Sequence, residues 1–223
     1  MRVSRRSNVL GRRARRRLDG LRAALAAAIV EVSTVGTWFA LIVFETRTAY
    51  TALAGIGVLL FGALVRTGVT GSAVGRTPLV SLWRRLLAAT LFAASWPWWL
   101  LVAESVDGRT GVFVAGAVLA ALLSTQFALE HRAVRLPPAP SPSAVIRTSG
   151  VRGVVFPAVV LAVGATTLLA LTWFTTGVVY AVGIPVGEQT LYVEASSLVV
   201  GLLVFGLCSL LAHDRRITRL LDG

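Results

Sequence analysis

The chain has 223 residues, of which 56% are hydrophobic and 14% charged, with a formal net charge of +12 and a mean hydropathy of +0.77. A soluble domain usually carries about 25% charged residues, so the composition excludes an ordinary soluble domain and points to a membrane protein. All 22 basic residues are arginine, which excludes retinal or pyridoxal Schiff-base chemistry and a self-contained P-loop, because each needs a lysine amine.

Residues 1–22 form a basic tail with nine arginines, expected to lie in the cytoplasm. Within it, Arg12, Arg13, Arg15, Arg16 and Arg17 are dense enough to contact anionic lipid headgroups, at about 1 kcal/mol per charge near the surface. The tail has no aromatic residue to stack on a base, so nucleic acid is not an expected partner. Ser4-Arg5-Arg6 loosely resembles a twin-arginine export signal, but six more arginines follow and Glu31 interrupts the apolar run. The run is therefore expected to stay as an anchor.

Six apolar runs follow, at 23–44, 49–65, 86–103, 111–129, 154–176 and 191–212. Each can span a bilayer, which takes about 20 apolar residues. The predicted fold class is all-α: a polytopic bundle over 23–212 of six transmembrane helices arranged as three hairpins, with a second tail at 213–223. Twenty of the arginines fall on one side of this threading; only Arg47 and Arg109 fall on the other. By the positive-inside rule both termini are cytoplasmic, and the expected location is the cytoplasmic membrane. Trp38, Trp98, Trp99, Trp173, Tyr180 and Tyr192 fall towards the outward ends, where amphipathic rings favour the interface. The segment Leu136–Ser143 holds four of the eight prolines and is expected to be extended.

The hairpins are weakly repetitive. Each has a tryptophan in its first span, then an acid, then a glycine 12 or 13 residues later: Glu45 to Gly57, Glu104 to Gly116, Glu188 to Gly201. Small residues at fourfold spacing, such as Ala158, Ala162, Thr166 and Ala170, mark expected helix contacts.

Glu31 is the sharpest candidate for function. It lies about 12 Å inside the first span, where an ionised carboxylate costs ~2.5 kcal/mol or more, so it should face protein. With every arginine assigned to loops or tails, desolvation predicts a neutral acid. Thr34 shares its stripe. Pro97 should kink span three and free a carbonyl, and Gln126 adds polarity to span four. These four residues are the expected lining of an ion or solute pathway, and the first functional expectation is a small permease or channel-like transporter. The alternative is a non-catalytic membrane subunit or scaffold whose polar residues bind helix to helix. A second alternative places a haem or metal on His131 and His213, at the inward ends of spans four and six. No HExxH or GxSxG occurs, and neither enzymatic activity nor a cofactor is expected. The expected partners are the lipid bilayer, a small ion or solute, and a membrane protein or a second copy of the chain.

Overall fold

The structure is a computed structural model that describes residues 3–73, 82–134, 151–175, 177–186 and 189–222. Among these residues six helices carry the chain: α1 (Val3–Phe44), α2 (Ala49–Ala73), α3 (Leu82–Ser105), α4 (Gly108–Val134), α5 (Val151–Phe174) and α6 (Ser197–Asp222). Two antiparallel strands, β1 (Val178–Val186) and β2 (Gln189–Ser196), form a hairpin between α5 and α6. All six helices contain a stretch long and apolar enough to cross a membrane. The chain is an all-α polytopic membrane protein with one β-hairpin between its last two spans.

Four boundaries differ from expectation, one of them at the end of α6, which runs on to Asp222 through the expected tail at 213–223. Helix α1 starts at Val3, so the basic segment is continuous with the first span; arginine, leucine and alanine, all good helix formers, make up most of residues 10–25. Helix α2 runs on to Ala73, because a single arginine does not interrupt a helix whose next residues are apolar, small or threonine. Residues 191–196 form strand, not helix. There Thr190, Tyr192 and Glu194 alternate with Leu191, Val193 and Ala195, a period of two that suits a ribbon. The proline-rich segment Leu136–Ser143 lies outside the described residues.

The turns are built locally. The Thr51 amide donates to Thr48 Oγ1 and the Thr48 amide to Thr51 Oγ1, at 3.2 and 2.9 Å. This reciprocal pair caps the first turn of α2. Gly108, with φ of 67°, starts α4 after a two-residue link of Val106 and Asp107, a conformation that side chains with a Cβ rarely adopt.

Each helix packs on a sequence neighbour, α1–α2 through α5–α6, and α1 also packs on α6, closing a ring. Close approach rests on small residues, as membrane helix packing requires. A Cβ at Gly62 would fall on Thr34, one at Gly116 on Thr166 Oγ1 and one at Gly201 on Leu168. A Cβ at Gly57 would meet nothing within 4 Å, so the three glycines of the weak repeat do not share one packing role. Ala158 and Ala162 are buried as expected.

The half of the ring nearer the α1–α2, α3–α4 and α5–α6 links is filled by aromatic rings. Trp96 of α3 lies 6.3 Å from Trp38 of α1, 5.7 Å from Trp99 and 5.7 Å from Phe205 of α6, the last two edge to face. Trp38 and Trp99, expected at the membrane interface, are thus buried inside the ring, where Trp38 packs at a tilt on Trp96 and Trp99 packs edge to face on Trp96 and at a tilt on Phe39 of α1. Trp98, Trp173 and Tyr180 are exposed, and the side chain of Tyr192 lies outside the described residues.

Candidate functional site

Beneath the aromatic layer, four helices converge on a cluster of ionisable side chains. Measured along each helix from the hairpin end, Glu31 is ~20 Å from the end of α1 and Arg66 ~26 Å from the start of α2. Glu130 and His213 are ~33 Å and ~24 Å along α4 and α6. The periodicity aims them inwards. Gln126 and Glu130 are i, i+4 on α4, while Ser209, His213 and Arg216 are i, i+4, i+7 on α6; each set makes one helix face.

Arg66 is the hinge of the cluster. Its Nη1 donates to Glu31 Oε1 and its Nη2 to Glu130 Oε1, the latter at 2.7 Å. Glu31 Oε2 also accepts from Ser209 Oγ at 2.7 Å and lies 2.9 Å from His213 Nε2. Glu130 accepts a further bond from Gln126 Nε2, and on Oε2 one from Arg216 Nη2 at 2.6 Å. Each carboxylate therefore has three partners, and both guanidiniums lean on rings: Arg66 Cζ is 4.1 Å from the Phe92 centroid, Arg216 Cζ 3.9 Å from that of Phe127. Such stacking is attractive and stronger when desolvated. Exposure is 1% for Glu31 and Arg66, 4% for Glu130 and 7% for Arg216.

This arrangement corrects the expectation of a solitary, neutral Glu31. Its premise was that no arginine reaches that depth, and Arg66 does, inside a helix that continues past it. A guanidinium stays protonated in proteins, and here it sits directly on the carboxyl group. The two acids and two arginines balance in charge, a condition for sheltering them from water.

Of the expected pathway residues, the structure brings together Glu31 and Gln126. Thr34 turns its hydroxyl back to the Val30 and Glu31 carbonyls, at 2.8 and 3.2 Å, and its body packs over Gly62. Pro97 lies half-buried one residue from Trp96 and makes none of the cluster's bonds. His213 faces Glu31 across α1 and α6, so its Nε2 is engaged within the cluster, not held free as the α6 ligand of a haem or metal. The His131 side chain lies outside the described residues, and among those described no three metal-binding side chains gather. Arg15 and Arg17 are exposed, while the side chains of Arg12, Arg13 and Arg16 are not among those described. Sequence reasoning missed Arg66, Glu130, Ser209 and Arg216, although the two helix-face patterns of α4 and α6 were readable.

Among the described residues, six buried side-chain polar atoms have no hydrogen-bond partner: Arg66 Nε, Arg216 Nη1, Trp96 Nε1, Trp99 Nε1, Gln126 Oε1 and Thr166 Oγ1. Leaving a buried polar group unpaired costs about 1–3 kcal/mol.

No family model, curated protein or solved structure matches the chain.

Proposed function

We propose that the protein is a small permease of the cytoplasmic membrane, with both chain ends inside the cell, which moves a small ion or solute through the helix ring past the cluster centred on Arg66. The observation that carries this reading is the shared position of Arg66. Glu31 keeps Ser209 and His213, and Glu130 keeps Gln126 and Arg216, when Arg66 releases either one. Glu130 keeps a permanent cation in Arg216, whereas Glu31 keeps a charge partner only when His213 is protonated, so the guanidinium can move to Glu130 without the several-kcal/mol cost of an unpaired buried charge when His213 carries a proton. A bistable element of this kind is what gating requires. His213 adds a group whose ordinary titration range lies near neutrality. Stability alone is a weak reason to keep such a cluster, since replacing a buried ion network by apolar side chains is often neutral or stabilising. The basic start of α1 would hold the N-terminus inside and rest on anionic headgroups.

The test is flux through the purified full chain in proteoliposomes, read for protons, alkali cations and small anions. Glu31→Gln, which nearly preserves shape and removes the charge opposite Arg66, is expected to lower the carried flux at least tenfold while the protein still elutes as folded. An unchanged flux in that variant overturns the reading. The competing scaffold reading is favoured by one observation, that every carboxylate oxygen of Glu31 and Glu130 already has a partner; it predicts lost stability in Glu31→Gln and no flux in the parent chain.

A further inference from the structure

The six unpartnered polar atoms are not a random set. Four are donors only: the indole N–H groups of Trp96 and Trp99 and the guanidinium N–H groups at Arg66 Nε and Arg216 Nη1. They belong to side chains in one contact chain down the ring interior. Trp99 packs on Trp96 at 5.7 Å, Trp96 on Phe92 at 5.8 Å, and Phe92 carries Arg66 at 4.1 Å. Phe127 then lies 5.9 Å from Arg66 and 3.9 Å from Arg216. All four donor-bearing side chains are more than nine-tenths buried. The acceptors show the opposite condition. All four carboxylate oxygens of Glu31 and Glu130 are already engaged, which leaves Gln126 Oε1 as the acceptor-only atom without a partner among the described residues. Thr166 Oγ1, at the α4–α5 contact with Gly116, can serve in either role.

A cation entering this interior meets carboxylates that are occupied by cationic or neutral donors. An anion meets free N–H groups, two of them on the guanidiniums of Arg66 and Arg216, whose charges Glu31 and Glu130 balance, and the positively polarised edges of phenylalanine and tryptophan rings between them. From this asymmetry we infer that the species carried by the proposed permease is a small monovalent inorganic anion of the halide or nitrate class, passed from the Trp99 and Trp96 indoles to Arg66 and Arg216. The inference rests on the permease reading and names its substrate class. Single charge follows from the supply of donors, since a sulfate or phosphate entering a closely packed aromatic layer would need more hydrogen bonds than two indoles offer. Trp96 and Trp99 select and position the anion, while Arg66 and Arg216 supply its terminal charge partner.

The experiment compares full-length protein with Trp96→Phe and Trp99→Phe in vesicles loaded with potassium chloride or potassium nitrate, with valinomycin balancing charge. Phenylalanine keeps an aromatic ring and removes the N–H donor together with part of the indole's volume. The expected result is chloride or nitrate efflux that each variant cuts at least tenfold. Anion efflux unchanged in both variants overturns the inference. Proton or alkali-cation flux at a rate indifferent to the anion also overturns it, and leaves the permease reading standing. Absence of every flux removes both. Should either variant fail to fold, the parent protein decides the matter. Exchange of gluconate for chloride is expected to raise its melting temperature in detergent by mass action, and an identical melting temperature in the two salts counts against anion binding.

Discussion

At the residue scale, Arg66 has consequences that none of its neighbours shares. Among the described residues it is the one side chain bonded to both acids, so its loss leaves two buried carboxylates each short of a charge partner. Arg66→Met is expected to destabilise the protein by about 3–5 kcal/mol, read as lost thermal stability in detergent. Arg216→Met should cost less, because Glu130 keeps Arg66 and Gln126. Arg66→Lys should not rescue, since an ammonium cannot fork between two carboxylates as a planar guanidinium does. Equal losses for Arg66→Met and Arg216→Met would remove the special place given to Arg66. Glu31 was legible in the sequence because an acid inside an apolar run is costly and therefore conspicuous. Arg66 was not, because it stands where the apolar run ends, and a hydropathy reading cannot tell a charge that closes a span from one that the helix carries on past. Its partner stood 35 residues away in sequence, beyond the reach of local pattern.

At the element scale, α1 and α2 are held close by Gly62, where an added Cβ would meet Thr34 at its Cβ, Oγ1 and Cγ2. Gly62→Val is expected to force the pair apart at a cost of about 1–3 kcal/mol. Because Glu31 and Arg66 ride on these same two helices, it should also weaken the ion pair one turn away. Adding Thr34→Ala should recover part of the loss, measured as a rise in melting temperature over the single variant; no recovery would mean that this contact does not set the helix separation. The six helices were readable from apolar length alone. The β-hairpin was not, because hydropathy averaged over Leu191, Tyr192 and Val193 resembles the start of a span, and only the two-residue alternation of Thr190, Tyr192 and Glu194 tells the strand from the helix that follows it. The interior position of Trp38 and Trp99 escaped for a related reason. A tryptophan near a span end suits an interface and a lumen equally well, and ring closure of α1 on α6, a contact between chain ends, decides between them.

At the scale of the whole molecule, a ring of six helices encloses two layers: aromatic rings towards the hairpin end, and a charge-balanced cluster beneath them. The arginine distribution led to the expectation that both chain ends lie on one side, since all but two arginines fall on one side of the expected threading, yet Arg66 and Arg216 of that set lie buried inside the ring. What joins the helices across the ring was not legible, because it depends on which faces meet. On the permease reading, this enclosed layer belongs to a pathway and is not sealed structural packing. Ser209, which donates to Glu31 from α6, reports on that layer directly. In a Cys208→Ser background, Ser209→Cys in flux-competent proteoliposomes should react with a small charged methanethiosulfonate reagent, and the reaction should abolish flux. A position 209 thiol that stays unmodified while flux continues at its full rate would contradict the account.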